Sequence, residues 1–410
     1  MKFHFWAAGL TLLSALSFLF SPAPEGRTPG ELSGEYVRLN PVMGFVSATD
    51  AYEFCNTSRH PRRLLARGTF RQNRPLHVLM ATALGHPLQW LARHVSLPKK
   101  HRLIPFYTAY VLLNFLFLFL SLLLLKRLLE QAGPGRAAGA ALIGGVFLVS
   151  NEVVKAFVWT AHSQMFAILS PLVALAIMSA LSGEMSRLRF LLLGLTTGLL
   201  PLAYGNFLLL LPCGLAALFL KAHAEGRFRD LLPRALVWTG LSLLPVFTWM
   251  AFVIHTAGAF TNEETTKYHQ FLWLKEAFDR GLPALVREIA VKTPVYLKTV
   301  VKADWVFLAL SCGLFLANRK LGNVLTEPEK QLRRLTGTAL ALFFLFFWGM
   351  GYYPTRLAFT LAPLLIVICA LEAGALLRNP RVNAAAVRWG LRFTAAGWAV
   401  YWIFSYGPFR

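Results

Sequence analysis

From Ile104 to Leu125 the chain runs without one charged side chain, and Leu335 to Trp348 repeats the pattern over a shorter length. Such runs are long enough, or nearly so, to cross a hydrocarbon core of roughly 30 Å as a helix. Composition extends the point to the whole chain. With 56% hydrophobic residues, 15% charged residues and a mean hydropathy of +0.53 over 410 residues, a soluble fold has too little polar surface to wet itself. The chain reads as a single transmembrane domain over residues 1–410, all-α and polytopic.

Eleven spans are expected: 3–20, 104–125, 137–155, 160–181, 190–204, 206–221, 235–255, 303–317, 335–350, 356–377 and 389–405. The first follows a short basic start (Lys2) and shows no A-x-A cleavage pattern before Ser21, so it reads as an uncleaved span. If Lys2 is cytoplasmic, the even-numbered turns are cytoplasmic too. They carry Lys126, Arg127 and Arg136; Arg187 and Arg189; Lys221, Arg227, Arg229 and Arg234; Arg319, Lys320, Arg333 and Arg334; Arg378, Arg381, Arg388 and Arg392. Every such turn is basic, as the positive-inside bias requires. The expected setting is a cell membrane, a bacterial inner membrane, with the N-terminus in the cytoplasm.

This placement disposes of the formal charge of +22, which in a soluble protein would point to nucleic acid. Here the basic residues flank apolar spans, where they meet anionic headgroups, and no nucleic-acid reading module accompanies them. The four cysteines (Cys55, Cys213, Cys312, Cys369) are scattered and form neither a disulfide framework nor a zinc spacing. There is no C-x-x-C, no H-E-x-x-H and no P-loop.

Two long segments fall outside the membrane on the far side. The first extracytoplasmic loop, 21–103, is basic against the bias, with Arg59, Arg62, Arg63, Arg67, Arg71, Arg74, Lys99, Lys100 and Arg102. Long loops translocate regardless of charge, but the accumulation asks for an anionic ligand or a lipid phosphate. Within it, Pro75 to Val95 is apolar yet interrupted by His77, His86, Pro87 and Arg93, and reads as a helix lying in the interface. The second loop, 256–302, opens with Thr261-Asn262-Glu263-Glu264 and continues as an amphipathic stretch, Phe271 to Val301, suited to the bilayer surface.

Acidic residues number only 19, so their positions carry information. Asp50 and Glu53 lie in the first outer loop, and on a helix would face the same way one turn apart. Asn151 and Glu152 precede Trp159-Thr160-Ala161-His162-Ser163-Gln164; Tyr204-Gly205-Asn206 and Tyr352-Tyr353-Pro354-Thr355-Arg356 form two further outer turns. These polar clusters all fall on the extracytoplasmic side. Each also has a plain reading: interfacial Tyr and Trp form ordinary belts, Asn suits turns, and Arg356 at a span end snorkels.

The layout resembles the GT-C glycosyltransferases, membrane enzymes that use polyprenyl-phosphate-linked sugars. The likeness rests on the order of the parts: a first span, a long outer loop with an early carboxylate and interface helices, many further spans, and a second long outer loop after the seventh. Asp50-Ala51-Tyr52 followed by Arg71-Gln72-Asn73-Arg74-Pro75-Leu76-His77 is similar to the acidic start and the entry to the second interface helix in that family. Tyr352 through Arg356, with Pro363 in the next span, is similar to its aromatic-Arg turn near the donor phosphate. The chain departs from better-known members in spacing Asp50 and Glu53 by three where an adjacent acidic pair is usual.

The resemblance implies an inverting transfer on the outer face. Asp50 would act as base on the acceptor hydroxyl, and Glu53 would orient the acceptor or hold a divalent ion (Mg or Mn) with Asp50. Arg71, Arg74 and Arg356 would bind the donor phosphate, where charge grows as the sugar leaves. Tyr52, His162, Gln164, Tyr204, Asn206, Tyr352 and Tyr353 would line the substrate. The expected partners are membrane lipid, a polyprenyl-phosphate-linked sugar, and a glycan, lipid or protein acceptor. Two other classes stay open: a lipid or sugar transporter, against which the span interiors are almost free of charge, and a non-catalytic scaffold.

Overall fold

The computed structural model describes residues 2–19, 34–38, 44–69, 71–94, 102–262, 265, 268 and 269–404. Glu263, Glu264, Lys99 and Lys100, singled out from the sequence, lie outside the described residues. The chain is a polytopic α-helical membrane protein. Seven helical segments among the described residues are long and apolar enough to cross a bilayer: Ile104–Ala132, Ser163–Ser182, Gly205–Glu225, Phe228–Ala257, Leu282–Lys320, Glu327–Met350 and Thr355–Leu376. Phe3–Ala15 and Gly139–Val149 are apolar but shorter.

The contacts divide the chain into two compact units, 1–169 with 202–204 and 380–410, and 170–201 with 205–379. The sequence reads as a single domain because the division falls in no Gly-, Pro- or Ser-rich linker.

In the first unit, helix α1 (Lys2–Leu19) leads to an antiparallel hairpin, β1 (Gly34–Arg38) with β2 (Gly44–Ala48), which pairs Gly34 with Ala48 and Arg38 with Gly44. This hairpin is an addition to the all-helical expectation. Helix α2 (Ala51–Arg59) and helix α3 (Pro75–His94) follow, and both pack on α4 (Ile104–Ala132). Gly133 ends α4, and Pro134 opens α5 (Pro134–Val149), since proline fits a first turn whose N–H has no partner anyway. Asn151 caps the short α6 (Glu152–Phe157) by accepting from the Val154 N–H at 2.9 Å.

In the second unit, α7 (Phe166–Ser182, entered from the first), α8 (Arg187–Leu199), α9 (Leu210–Glu225) and α10 (Leu231–Ala257) run consecutively. Gly226 and Gly258 end the last two in the left-handed region (φ 67° and 77°), which glycine adopts without a Cβ penalty. Helix α11 (Leu272–Asp279) precedes α12 (Leu282–Lys320), whose 39 residues give it a length of about 58 Å, roughly twice a hydrocarbon core. The stretch expected to lie on the surface, Phe271 to Val301, is therefore α11 plus the first half of α12, continuous with the apolar half. Helix α13 (Glu327–Met350) starts with a reciprocal capping box of Thr326 and Glu329. The short α14 (Thr355–Ala358) and α15 (Ala362–Leu376) complete the second unit, and α16 (Ala384–Phe404) returns to the first, packing on α5 and α1.

The span interiors hold more charge than the sequence reading allows. Asp304 on α12 and Glu372 on α15 are buried, and Lys155 at the end of the third expected span is buried as well. Lys155 donates to the carbonyls of Trp402 (2.5 Å) and Ile403 (3.1 Å), acceptors that a helix end leaves without intrahelical partners. Glu372 accepts from Asn318 Nδ2 at 2.8 Å and lies 3.0 Å from Arg333, tying α15 to α12 and α13.

Candidate active site

The site in the first unit is built on an irregular stretch, Val158 to His162, between α6 and α7. Non-helical backbone buried in such a place needs partners, and α4 supplies them. Asn114 Nδ2 donates to the carbonyls of Phe157 (3.0 Å) and Thr160 (2.8 Å), and the Tyr107 hydroxyl donates to Trp159 O at 2.6 Å. Thr160 in turn accepts from the Ala48 N–H at 2.8 Å, fixing the end of β2 and hence the start of α2. One stretch thus positions both His162-Ser163-Gln164 and Asp50.

Asp50 is the N-cap residue of α2, a position where a carboxylate ordinarily bonds its own helix backbone. Here it makes no such bond. Its Oδ2 lies 2.9 Å from Arg71 Nη2, and Glu53 Oε2 lies 3.4 Å from the same nitrogen. The two carboxylates, one turn apart, converge on one guanidinium. Arg71 is buried and its guanidinium stacks 4.0 Å over the Phe54 ring, whereas the Asp50 side chain is 47% exposed and open to an incoming group.

His162 Nδ1 accepts from the Gln164 N–H at 3.0 Å, so in the neutral ring the proton sits on Nε2, which faces Asp50 Oδ2 at 3.8 Å. Arg74 donates to Ser163 Oγ and lies 5.1 Å over the Tyr204 ring; the Tyr204 hydroxyl donates to Gln164 Oε1 at 3.4 Å. Asp50, Glu53, Arg71, Arg74, His162, Gln164 and Tyr204 are thereby one connected group. Tyr52 sits on α2 with its side chain exposed.

Beneath the arginines lies His77, fully buried among Phe54, Tyr110, Phe117 and Phe166. Among the described residues neither of its ring nitrogens has a hydrogen-bond partner. Burial first, then the positive fields of Arg74 and Arg71, hold its pKa down to about 3. Burial likewise pushes the Cys55 thiol up to about 12, which makes it an inert core residue. Asn114 was not singled out from the sequence, because a lone Asn inside an apolar run carries no local signal; Ser163 and His77 were noted only as parts of longer stretches, with no role of their own.

The other expected residues belong to the second unit. Asn206 is buried, and Arg356 lies on α14. Tyr352 stacks on Tyr268 (centroids 4.7 Å, 28°), and Tyr353 donates to Trp348 O at 2.7 Å, its phenol pushed up to about 12 by burial. Nearby, α11 is pinned by Trp273, whose Nε1 donates to Gly349 O at 2.9 Å. Two non-glycine residues in the left-handed region, His269 (φ 49°) and Phe271 (φ 61°), lead into it.

A divalent ion between Asp50 and Glu53 is not what the geometry provides, because Arg71 already lies between them. Among the described residues no group of three or more His, Cys, Asp or Glu is placed to hold a metal ion.

No protein-family model matches the chain, and no curated protein matches it by sequence. Solved structures do match in fold. An Archaeoglobus fulgidus oligosaccharyltransferase, in complex with Zn and sulfate, covers 98% of this chain with a TM-score of 0.57 at 14% identity. The archaeal oligosaccharyltransferase AglB from the same organism, in complex with an inhibitory peptide and a dolichol-phosphate, also covers 98%, with a TM-score of 0.52 at 14% identity. The chain shares its fold with these oligosaccharyltransferases, in agreement with its resemblance to the GT-C glycosyltransferases. The chain spans about half the length of these proteins, 53% and 55%, and the likeness is one of fold.

Proposed function

We propose that this protein is a membrane glycosyltransferase that moves a sugar from a lipid-phosphate donor to an acceptor hydroxyl on the extracytoplasmic face. The observation that carries the reading is a half-exposed carboxylate, Asp50, oriented by Arg71 and faced by His162, in a chain with the GT-C fold. That one neighbour was solved with a dolichol-phosphate supports a lipid-phosphate donor. In this reading the acceptor oxygen attacks the anomeric carbon as Asp50 takes its proton. The bond from the anomeric carbon to the phosphate oxygen breaks, the configuration inverts, and the lipid phosphate leaves with the electron pair. Arg71, engaged by both carboxylates, is assigned to holding them, and Arg74 to the phosphate charge. Glu53 orients the acceptor. Arg356 is assigned to phosphate by the family resemblance.

A second reading, a non-catalytic lipid-binding scaffold, draws on the same ion pairs: both carboxylates are satisfied by Arg71 and need no reaction to explain them. Purified full-length protein and Asp50→Asn separate the two. With a panel of polyprenyl-phosphate sugars followed by native mass spectrometry, the transferase binds one donor selectively and turns it over, and Asp50→Asn binds without turnover. Binding without turnover in both proteins across an acceptor panel selects the scaffold; no binding by either removes both.

A further inference from the structure

Asp50 and Glu53 bring two carboxylates to one point, the kind of oxygen donors a divalent cation takes, but among the described residues no third His, Cys, Asp or Glu completes a metal-holding group there. What stands at that point is the Arg71 guanidinium. We propose that Arg71 is the resident cation of this site, filling by side chain the position a divalent ion would need, so that the carboxylate pair is held without metal.

Three features keep Arg71 there. Its head is buried and makes contacts of 2.9 and 3.4 Å to the two carboxylates through one nitrogen. The face of the guanidinium rests on Phe54, from the same helix as Glu53, so α2 supplies both the ring beneath the cation and one of the charges beside it. Its backbone is part of a closed turn: Arg71 O accepts from the Arg74 N–H at 3.0 Å, and the Gln72 side chain donates to Ala66 O at 2.9 Å.

Arg71 offsets one of the two carboxylate charges, and Arg74, in the same connected group, brings a second positive charge, so the pair is balanced by side chains. The role of Asp50 as proton acceptor rests on the glycosyltransferase reading; the identity of the cation does not.

The test is Mn2+ binding by the purified full-length protein, followed by the EPR signal of free Mn2+ and by thermal shift with Mn2+ or EDTA. Wild type is expected to show no saturable Mn2+ site and an unchanged melting temperature in either additive. Arg71→Met, which keeps an apolar group on Phe54 but removes the charge, is expected to gain one saturable site, lost again when Glu53→Gln is added. Saturable Mn2+ binding by wild type that Asp50→Asn abolishes overturns the proposal, and this arm needs no Arg71 variant to fold. A folded Arg71→Met without a new site overturns it too. No arm reads sugar transfer: Mn2+ bound by wild type leaves the transferase reading standing, and failure to bind any lipid-linked sugar leaves the cation result standing.

Discussion

Asp50 and His77 show how far a single side chain's role depends on what surrounds it. Asp50 forgoes its own helix backbone and turns to Arg71, while the rest of its carboxylate stays reachable. Replacing it with Asn keeps shape and removes charge, so Asp50→Asn is expected to lower turnover by about 10²- to 10⁴-fold, the usual worth of a positioned base, with donor binding retained. Single-turnover kinetics alongside native mass spectrometry measures both. His77 makes a prediction about pH. Folded, its pKa is held near 3; unfolded, it returns to the ordinary value of 6.5. Between those values the unfolded chain binds a proton that the folded chain refuses, so stability falls as pH drops below about 6.5 and keeps falling toward 3. Melting curves in detergent from pH 7 to pH 4 should show this loss, and His77→Phe should show less of it. An equal slope in both proteins would assign the acid sensitivity elsewhere.

At the scale of elements, α8 and α10 meet through glycine. A Cβ on Gly198 would come within 2.6 Å of Ser242 O and 2.8 Å of Leu241 O, and one on Gly194 within 2.9 Å of the Leu241 side chain. Gly194 and Gly198 are four residues apart, the small-xxx-small spacing that lets membrane helices approach at backbone distance. Gly198→Ala must push against backbone, which does not yield, and should cost about 1–3 kcal/mol. Gly240→Ala, with nothing within 4 Å of its added carbon, should be neutral or slightly stabilising, since alanine is the better helix former. Thermal melts of the two variants side by side check the contrast. Elements of this kind divide what the sequence discloses from what it withholds. Apolar length disclosed the helices around Ile104–Ala132 and Glu327–Met350, and a three-residue spacing was enough to put Asp50 and Glu53 on one side of α2. The partner of Gly198 is 43 to 44 residues away, at Leu241 and Ser242, and Arg71 meets Asp50 only after the chain has turned back on itself. Residue type announces a charge; only the folded path chooses its counter-charge. For the same reason α12 was divided at the edge of its apolar half, although a helix continues through a change of polarity when both halves find suitable surroundings.

For the molecule as a whole, the number of crossings turns on α8. Its 13 residues reach about 20 Å, short of a hydrocarbon core, and it is not among the seven segments that qualify by length and hydropathy. If α8 does not cross, the turn before it and the end of α9 lie on opposite faces, with only α9 crossing between them. If it does, with the 3-10 turn Leu200–Leu202 completing the passage, both lie on the same face. Lys221 on α9 donates to Gly183 O at 2.5 Å, joining those two places directly. The hydrogen bond places both on the same face, which predicts that α8 acts as a crossing within this unit despite its length. Its glycine face packs on α10 while Leu188, Leu192 and Leu199 stay exposed, the apolar outer face that a crossing helix turns to lipid. The consequence is measurable with single cysteines in a background lacking the native thiols and a membrane-impermeant maleimide. Glu184→Cys and Glu225→Cys, both at exposed positions, should react from the same side of sealed vesicles, and His269→Cys, beyond α10, from the other. The positive-inside expectation from the sequence is that the first two are on the cytoplasmic side. Labelling of Glu184→Cys and Glu225→Cys from opposite sides would remove α8 from the crossings and with it the even alternation on which the eleven-span topology depends.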